Sequence, residues 1–343
     1  MIPIRNIYYM LSYAFQILQE KGYRDIATEQ FDNAAELCAA ILEKGVSIQL
    51  KRGLGREYIE QTEALSTLRG KIDISESIKT QSIQKKQLIC TFDEFSENSY
   101  LNRIIKTTFE VLIRLDISKD RKKALKKLLV FFGNVETLDP YSINWKIQYN
   151  RNNQTYRMLI SICYLVVKGL LQTQTDGSTR LMEFGDNHMH QLYEEFIRKY
   201  YEKECSQVVT ERSLIPWALD DGYDEMLPDM RTDITLTKGN NVLIIDAKYY
   251  GRNTQEQFGI HKNISSNLYQ IFTYVKNKDS AFGETPHKVS GMLLYARTDD
   301  AFQPDNTYQM SGNKISVRTL DLNLEFSEIK AQLNRIIDEH FSQ

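Results

Sequence analysis

Apolar residues recur with helical spacing in three stretches of the first half of the chain, residues 4–20, 33–44 and 98–115. This spacing puts the apolar side chains on one face, so each stretch is predicted to form an amphipathic helix. Residues 46–50 and 70–74 alternate apolar and polar positions instead, which predicts short strands. The first half is therefore expected to be a mixed α/β domain.

The second half follows a different order of elements. The pattern predicts a helix over 187–200, a strand near 208–219, a hairpin over 232–250, a helix over 265–277, strands over 289–295 and 315–320, and a helix over 327–341. This order favours one mixed sheet flanked by helices, an α/β (α+β) architecture.

A polar, turn-rich segment at 172–187 follows the long apolar stretch 158–171. Turn residues after an apolar helix mark a boundary, so we predict two domains, residues 1–175 and residues 176–343. The apolar stretch is shorter than the ~20 residues that a membrane span needs, and it is expected to be a buried helix.

The cysteines are widely spaced, without a CxxC pair, and the N-terminus does not resemble a secretory leader. Buried free thiols in a reducing compartment are the expectation for such cysteines. These features predict a cytoplasmic protein that has no membrane partner.

The charge balance disfavours one class of protein. The 343 residues include 43 Lys and Arg and 45 Asp and Glu, a formal net charge of −2. Domains that coat nucleic acid by bulk charge are usually strongly basic, so this class is disfavoured. A local basic groove, or an enzyme that gains DNA affinity through a partner, is compatible with the balance.

The densest basic run lies at residues 119–127, KDRKKALKK. Its apolar positions continue through Leu128 and Leu129, which indicates a helix with a solvated face. The alternative is a contact with nucleic acid or with a protein partner, and the sequence leaves both interpretations open.

Candidate chemistry concentrates in the predicted hairpin around Gly239 and Asn240. If these two residues form the loop, Asp233 stands directly opposite Asp246 on the neighbouring strand. Lys248 lies two residues beyond Asp246 and therefore on the same face. A three-residue loop would shift this pairing by one position.

Two opposed carboxylates on a largely apolar strand would repel each other unless a cation lies between them. Mg²⁺ prefers oxygen ligands and is usually bound by one or two carboxylates together with substrate phosphate. Asp233 and Asp246 are the predicted ligands, and the backbone carbonyl of Ala247 is a further candidate. Asp229 follows Pro228, but the same register would place it opposite Tyr250, away from Asp246.

Other kinds of site are poorly supported. The five histidines are scattered, and His188 and His190 would point apart on a helix, which disfavours a zinc site. The sequence contains no G-x-x-x-x-G-K-[ST] motif, so this chain is expected to bind no nucleotide itself.

At this point the sequence resembles a known superfamily and, within it, a family. Asp233 followed by Asp246-Ala247-Lys248 is similar to the PD-(D/E)xK nuclease signature, although Thr232 rather than proline precedes the first carboxylate. Further segments look like the McrC family, the nuclease subunits of McrBC restriction systems. They are the segments 2–11, 91–93, 102–106 and 267–270.

The resemblance implies a restriction-endonuclease-like domain over residues 176–343 and a Mg²⁺-dependent phosphodiester hydrolase. By their matching positions, Asp233 and Asp246 would hold the metal, and Lys248 would orient the attacking water and stabilise charge on the phosphate. Gln270 would be a polar residue facing the site from the following helix, and Glu194 an outer carboxylate. A helix-surface glutamine and a solvated glutamate are the alternatives for these two.

The resemblance also implies partners. A hexameric AAA+ GTPase ring similar to McrB would bind GTP and recognise double-stranded DNA with modified cytosine, and residues 1–175 would engage and stimulate it. The chain would then be a type IV restriction endonuclease subunit. Alternatives are a catalytically decayed activator or structural subunit of an NTPase ring, and a stand-alone DNA repair nuclease. The candidate residues for contact with the GTPase ring, the motor of such a system, are Asn102, Arg103, Arg5 and Asn6.

Overall fold

In a computed structural model of the chain, the described residues are 2–19, 23, 25–26, 29–151, 153, 155–175, 186–249, 254–257, 260–263, 265–300 and 302–341. The side chains of residues 170–175, 186–188, 254–257 and 260–263 are outside this description. None of the helices in these ranges combines the length and the apolar character that crossing a bilayer requires.

The described part of the chain contains both helices and strands. The α-helices are α1 Ile4–Ala14, α2 Ala34–Arg52, α3 Ile74–Lys79, α4 Tyr100–Arg114, α5 Lys119–Leu129, α6 Tyr156–Thr175, α7 Asp186–Glu204, α8 Ser265–Ser280 and α9 Phe326–Phe341. The strands are β1 Glu57–Leu65, β2 Lys71–Asp73, β3 Leu88–Ser96, β4 Val209–Glu211, β5 Leu214–Ile215, β6 Met230–Arg231, β7 Ile234–Lys238, β8 Asn241–Lys248, β9 Thr254–Gln257, β10 Ile260–Asn263, β11 Lys288–Ala296, β12 Asn306–Met310 and β13 Asn313–Leu320. The α/β fold class is confirmed.

The chain divides into two compact units, one formed by Phe31–Glu183 and the other by Met1–Gln30 together with Phe184–Gln343. The predicted boundary after residue 175 lies near the second of these divisions. The structure differs at the N-terminus, because the first 30 residues belong with the C-terminal part of the chain rather than with the domain predicted over 1–175.

Side-chain contacts of α1 explain this grouping. The amide of Asn6 donates to the backbone carbonyls of Leu322 and Leu324 at 2.8 and 2.9 Å. The ring of Tyr9 stacks on Phe326 with centroids 4.3 Å apart. These partners follow the last strand of the chain, and such long-range tertiary contacts are not readable from local periodicity. Asn6, a guess for a motor contact, is buried and holds α1 in place.

The Phe31–Glu183 unit combines a helical core with a small antiparallel sheet. Helix α4 packs against α5 and α6, while α2 packs against α5 and α6 as well. The sheet has the order β1-β3-β2 and joins Glu57↔Ser96 through Leu65↔Leu88. Its strands are largely exposed, so the core of this unit is formed chiefly by the helices.

Residues 46–50 were predicted as a strand, and this prediction is wrong because they form the last turns of α2. Val46 and Leu50 are four residues apart, so the same letters also fit one face of a helix. The helix begins after Asn33, whose side chain accepts from the Glu36 amide, and ends at Gly53, which has a φ of 89°. Capping at both ends therefore decides an ambiguous pattern.

Asn102 is fully buried at the start of α4. Its amide donates to the carbonyls of Gly55 and Glu97, both at 2.8 Å, and its Oδ1 accepts from the Tyr156 hydroxyl at 2.8 Å. The same hydroxyl accepts from the Gly55 amide at 2.7 Å. Asn102 therefore joins the N-terminal ends of α4 and α6 to the loop after α2, which is a structural role.

The unit containing the C-terminal part is built on a six-stranded mixed sheet with the order β12-β13-β11-β8-β7-β4. The pairs β8–β11 and β11–β13 are parallel, and the other pairs are antiparallel. Helix α8 packs on β8, β11 and β13, whereas α7 contacts β8 and β4, and α9 contacts β13. The predicted mixed sheet with flanking helices is confirmed.

The face of the sheet below α8 carries a continuous apolar cluster that includes Val242 and Ile244 of β8 and Ile271 and Val275 of α8. Side chains alternate along a strand, so Asp246 and Lys248 share the parity of Val242 and Ile244 and point to the same face. The apolar cluster thus leads directly into the two charged residues at the end of β8.

Gly291 of β11 permits the close approach of α8. A Cβ atom at this position would lie 2.7 Å from Val275 Cγ2 and 2.8 Å from Ile271 Cγ1, distances that real Cβ contacts do not tolerate. Gly291 pairs with Ile244 on β8. The helix therefore packs closely on the strands. This packing places Gln270, the residue before Ile271, where its side chain reaches Lys248 at the end of β8.

Candidate active site

The β7–β8 hairpin has the predicted register. Strand pairing runs from Ile234↔Ile245 to Lys238↔Asn241, and the two loop residues are Gly239 and Asn240. Gly239 has a φ of 58°, a left-handed conformation that suits glycine at a tight turn. Continued by one residue, the register sets Asp233 beside Asp246.

Asp233 lies immediately before β7, and its side chain is tied to the end of β8. Its Oδ2 accepts a hydrogen bond from the backbone amide of Ala247 at 3.0 Å. On the other side, the buried Thr232 accepts from the Ser213 amide at 2.9 Å through its hydroxyl. Thr232 therefore fixes the backbone that leads into Asp233.

Asp246 is 1% exposed and is the deepest carboxylate of the site. Lys248 Nζ lies 2.8 Å from its Oδ2, an ion-pair distance. Within the described part of the chain, however, neither carboxylate oxygen receives a hydrogen bond of acceptable geometry. Burial raises the pKa of Asp246 to about 7, with Lys248 lowering it and Asp233 raising it. Because Asp246 is buried beside a second negative charge, a further cation at this position would stabilise its ionised form.

Lys248 is almost buried and reaches a second residue besides Asp246. Its Nζ donates to Gln270 Oε1 at 3.4 Å, and Gln270 Nε2 donates to the Tyr274 hydroxyl at 3.0 Å. The chain Tyr274–Gln270–Lys248 runs from α8 to β8 and orients the ammonium group. The structure thus brings Gln270 to the predicted site from the predicted helix, and its chemical role stays a prediction.

Helix α7 contributes two further titratable groups, His190 and Glu194. Burial raises the pKa of Glu194, and the negative charge of Asp233 adds to this effect, while Arg212 and Lys248 lower it. Glu194 also pairs with Arg212. Burial lowers the pKa of His190, with Lys248 lowering it further and Asp233 raising it. Both groups therefore lie within electrostatic range of Asp233 and Lys248.

His190 lies near the site although it was not among the predicted site residues, since its spacing to His188 disfavours a shared site. The useful signal was the spacing of four to Glu194, which places both side chains on one face of α7. The packing of α7 on β8 is a tertiary contact, so the local sequence pattern does not predict it.

The other predicted positions take different places. Asp229 is exposed and precedes β6, so the structure does not bring it to Asp246. Ala247 is fully buried between the two charged residues of β8, and its amide is used by Asp233. Whether its carbonyl oxygen binds a metal stays a prediction.

The residues present fit a hard divalent cation. Among the described residues no group of three or more His, Cys, Asp or Glu side chains is arranged to hold a metal. Mg²⁺ does not need such a cage, because it is usually held by one or two carboxylates, waters and substrate phosphate. The orphaned oxygens of Asp246, with Asp233 beside it, supply carboxylate ligands of this kind.

Comparisons with known proteins agree along nearly the whole chain. The family described as McrBC 5-methylcytosine restriction system component matches residues 4–296. The type IV methyl-directed restriction enzyme EcoKMcrBC of Escherichia coli (strain K12) is 30% identical over 348 residues, 99% of this chain and 98% of that protein.

Two solved structures from Thermococcus gammatolerans are also similar. One is a refined half-complex of McrB AAA+ hexamers with bound McrC, which matches with a TM-score of 0.49 and 19% identity over 98% of this chain and 76% of that chain. The other, a cryo-EM structure of the McrBC complex, matches with a TM-score of 0.42 and 22% identity over 60% of this chain and 59% of that chain.

Proposed function

Because the chain belongs to the family of McrBC 5-methylcytosine restriction system components, we propose that it is the nuclease subunit of such a system. It hydrolyses phosphodiester bonds of double-stranded DNA that carries modified cytosine, and it requires Mg²⁺. The observation that carries this proposal is the buried carboxylate of Asp246, with Asp233 and the ammonium group of Lys248 beside it.

Asp246 and Asp233 would hold the metal ion, and the Ala247 carbonyl is a further candidate ligand. Bound Mg²⁺ polarises a phosphoryl oxygen and makes a water more acidic. The carboxylates contribute fixed negative charge at the end of β8, where burial strengthens their attraction for a cation. Glu194, partly buried on α7, is suited to bind through an intervening water.

Lys248 would act on the reacting phosphate. An ammonium group close to the scissile bond stabilises the negative charge that grows on the phosphate oxygens, and it orients the attacking water. Its two partners, Asp246 and Gln270, hold the Nζ atom within a narrow range of positions. Gln270 is therefore a positioning residue in this proposal, since it acts through Lys248.

In this proposal GTP is bound and hydrolysed by a partner protein, which acts as the motor. We infer that a hexameric AAA+ GTPase similar to McrB binds GTP and that this chain stimulates its turnover. The Phe31–Glu183 unit is assigned to that contact, because the proposed nuclease residues all lie in the other unit. The near-neutral charge supports the division, since a self-sufficient DNA enzyme usually carries more phosphate-binding charge of its own.

The test is a cleavage assay with the AAA+ partner, GTP and Mg²⁺, on plasmids with and without methylated cytosine. We expect cleavage of the methylated plasmid alone, and its loss when Mg²⁺ is chelated. The Lys248→Ala chain should bind the partner and stimulate GTP hydrolysis but should not cleave. Full cleavage by Lys248→Ala would refute the assignment of the site.

A further inference from the structure

The basic run at residues 119–127 has a place in the fold that the nuclease site does not use. It forms α5, which begins after Ser118, a residue whose hydroxyl accepts from the Arg121 amide. Leu125 is fully buried, so one face of this helix packs into the Phe31–Glu183 unit. The opposite face of α5 therefore points away from the core of this unit.

Arg121 belongs to the packed face. Its guanidinium pairs with Glu36 Oε1 at 3.3 Å and with Glu43, both on α2. Glu36 also accepts from the amide and the hydroxyl of Ser118, at 2.8 and 2.9 Å. Arg121 and Leu125 are four residues apart, so the ion pairs and the apolar contact hold the same side of α5 against α2.

The five lysines lie on the other side. At 100° per residue, they cluster within one arc opposite Arg121 and Leu125. Four of them are exposed and one, Lys122, is partly buried. None of the five forms an ion pair with the described residues. They are Lys119, Lys122, Lys123, Lys126 and Lys127.

This lysine face is unusual for its chain. The protein as a whole has a formal net charge of −2, yet the lysine face concentrates five positive charges along about 12 Å of helix, at 1.5 Å per residue. Asp120 is the one acidic residue of α5. Like charges this close repel each other, which favours a polyanion on this surface.

We propose that the lysine face of α5 binds the phosphate backbone of double-stranded DNA. Flexible ammonium groups without fixed partners suit a regular array of phosphates, and such contacts carry affinity without reading sequence. Taking DNA as the polyanion rests on the proposed nuclease function. The contact would give this chain a DNA-binding surface of its own, on the unit that does not contain Asp246.

The test measures binding of the full chain to a fluorescently labelled DNA duplex by fluorescence anisotropy. The measurement is made in EDTA across a series of NaCl concentrations. Each lost phosphate contact should reduce the slope of log K against log[NaCl] by about 0.9, so a triple Lys123→Glu, Lys126→Glu, Lys127→Glu variant should lose roughly 2–3 in slope. Its affinity at low salt should fall at least about tenfold.

The matched control changes three exposed lysines elsewhere in the same unit, Lys51→Glu, Lys71→Glu and Lys85→Glu, and should lose clearly less in slope. A triple Lys→Gln variant at 123, 126 and 127 removes the same three contacts without adding negative charge and should lose a similar slope. Circular dichroism checks that every variant is folded. An Asp246→Asn chain, which should not cleave, should still bind with the full slope, so this test is separate from that of the nuclease.

Three results would overturn the proposal. They are an unchanged slope in the α5 triple variant, an equal loss in the control, and a wild-type chain without salt-dependent duplex binding. Normal DNA binding by the α5 variant together with lost co-purification of the AAA+ protein would assign the lysine face to a protein contact instead. Val130 and Phe131, exposed just beyond α5, would extend such a contact.

Discussion

The carboxylate of Asp233 accepts a hydrogen bond from the backbone amide of Ala247, with 3.0 Å between Oδ2 and N. This bond spans the two strands of the hairpin one residue beyond their last recorded pair, Ile234↔Ile245. It fixes Asp233 next to the residue that follows Asp246, so two carboxylates converge although their charges repel. The geometry is therefore held by the backbone, and a bound cation would remove the remaining repulsion.

Asp246→Asn should separate catalysis from stability. The change keeps the size of the side chain and relieves the repulsion between Asp246 and Asp233, but it also takes the charged partner from the buried Lys248. These two effects oppose each other, so we expect only a small change in melting temperature. Cleavage should fall by about a hundredfold or more, because a metal ligand and the partner of Lys248 are both altered. Calorimetry and the plasmid assay measure the two effects. A strongly destabilised variant would contradict this account of Asp246.

A comparison of Asp233→Asn with Asp229→Asn tests which aspartate is the first carboxylate of the site. Asp233→Asn can still accept from the Ala247 amide through its Oδ1, so it should fold normally but lose cleavage. Asp229 is exposed and lies outside the site, so its variant should cleave within about twofold of wild type. The reverse pattern would show that the hairpin register does not select the functional carboxylate.

The hairpin was predictable because turn chemistry and strand pairing are local. Gly239 and Asn240 set the loop, and the pairing then determines which residues face each other. The same locality explains the error at residues 46–50, where a short pattern fits a helix as well as a strand and only the caps of α2 decide.

The remainder of the site depends on contacts between distant parts of the chain. His190 lies within electrostatic range of Asp233 and Lys248 because α7 packs on β8, and Gln270 reaches Lys248 because α8 packs on β8 and β11. Neither packing arrangement is encoded by spacing along the sequence. The hairpin register was therefore predictable from local spacing, whereas Gln270 and Glu194 were expected only through the family resemblance and His190 was not expected.

Gly291→Ala tests the close packing of α8. The added methyl group would meet the side chains of Val275 and Ile271 below 3.0 Å, so these side chains, and α8 with them, must shift. Overpacking of this kind typically costs about 1–3 kcal/mol, or roughly 2–10 °C in melting temperature for a unit of this size. Cleavage should also fall, because Gln270 precedes Ile271 and would shift relative to Lys248. Gly133→Ala, whose new methyl would meet its nearest neighbour at 3.7 Å, is the matched control and should be nearly neutral.

Asn102→Ala should destabilise the Phe31–Glu183 unit without directly changing any partner contact. The variant leaves the carbonyls of Gly55 and Glu97 without their donor, and a loss of about 2–4 kcal/mol is expected for unpaired buried groups of this number. Arg103→Ala removes an ion pair between the partly buried Arg103 and the exposed Glu136, and it should cost less than about 1 kcal/mol. Urea unfolding measures both. A stable Asn102→Ala chain that fails to stimulate the GTPase would instead make Asn102 a motor contact.

His340 should make folding sensitive to acid. Its Nδ1 donates to the Ile336 carbonyl at 2.9 Å, and its buried Nε2 has no partner among the described residues, so the ring is held neutral. Burial lowers the pKa of His340 below the usual 6.5, with Lys314 and Lys288 lowering it and the Ile336 carbonyl and Glu339 raising it.

The sign of the effect follows from proton binding. Below pH 6.5 the unfolded chain takes up a proton that the folded chain resists, so the contribution of His340 to stability is complete above pH 6.5 and is lost as the pH falls toward the folded-state pKa. One such group changes the unfolding free energy by at most about 1.4 kcal/mol per pH unit. Urea unfolding between neutral and mildly acidic pH should therefore show a smaller loss of stability for His340→Gln than for wild type.

His287→Gln is the control of opposite sign, because hydrogen bonding to the Thr285 carbonyl and to Asp279 raises the pKa of His287. Equal pH profiles for wild type and His340→Gln would show that the buried ring does not set the acid sensitivity.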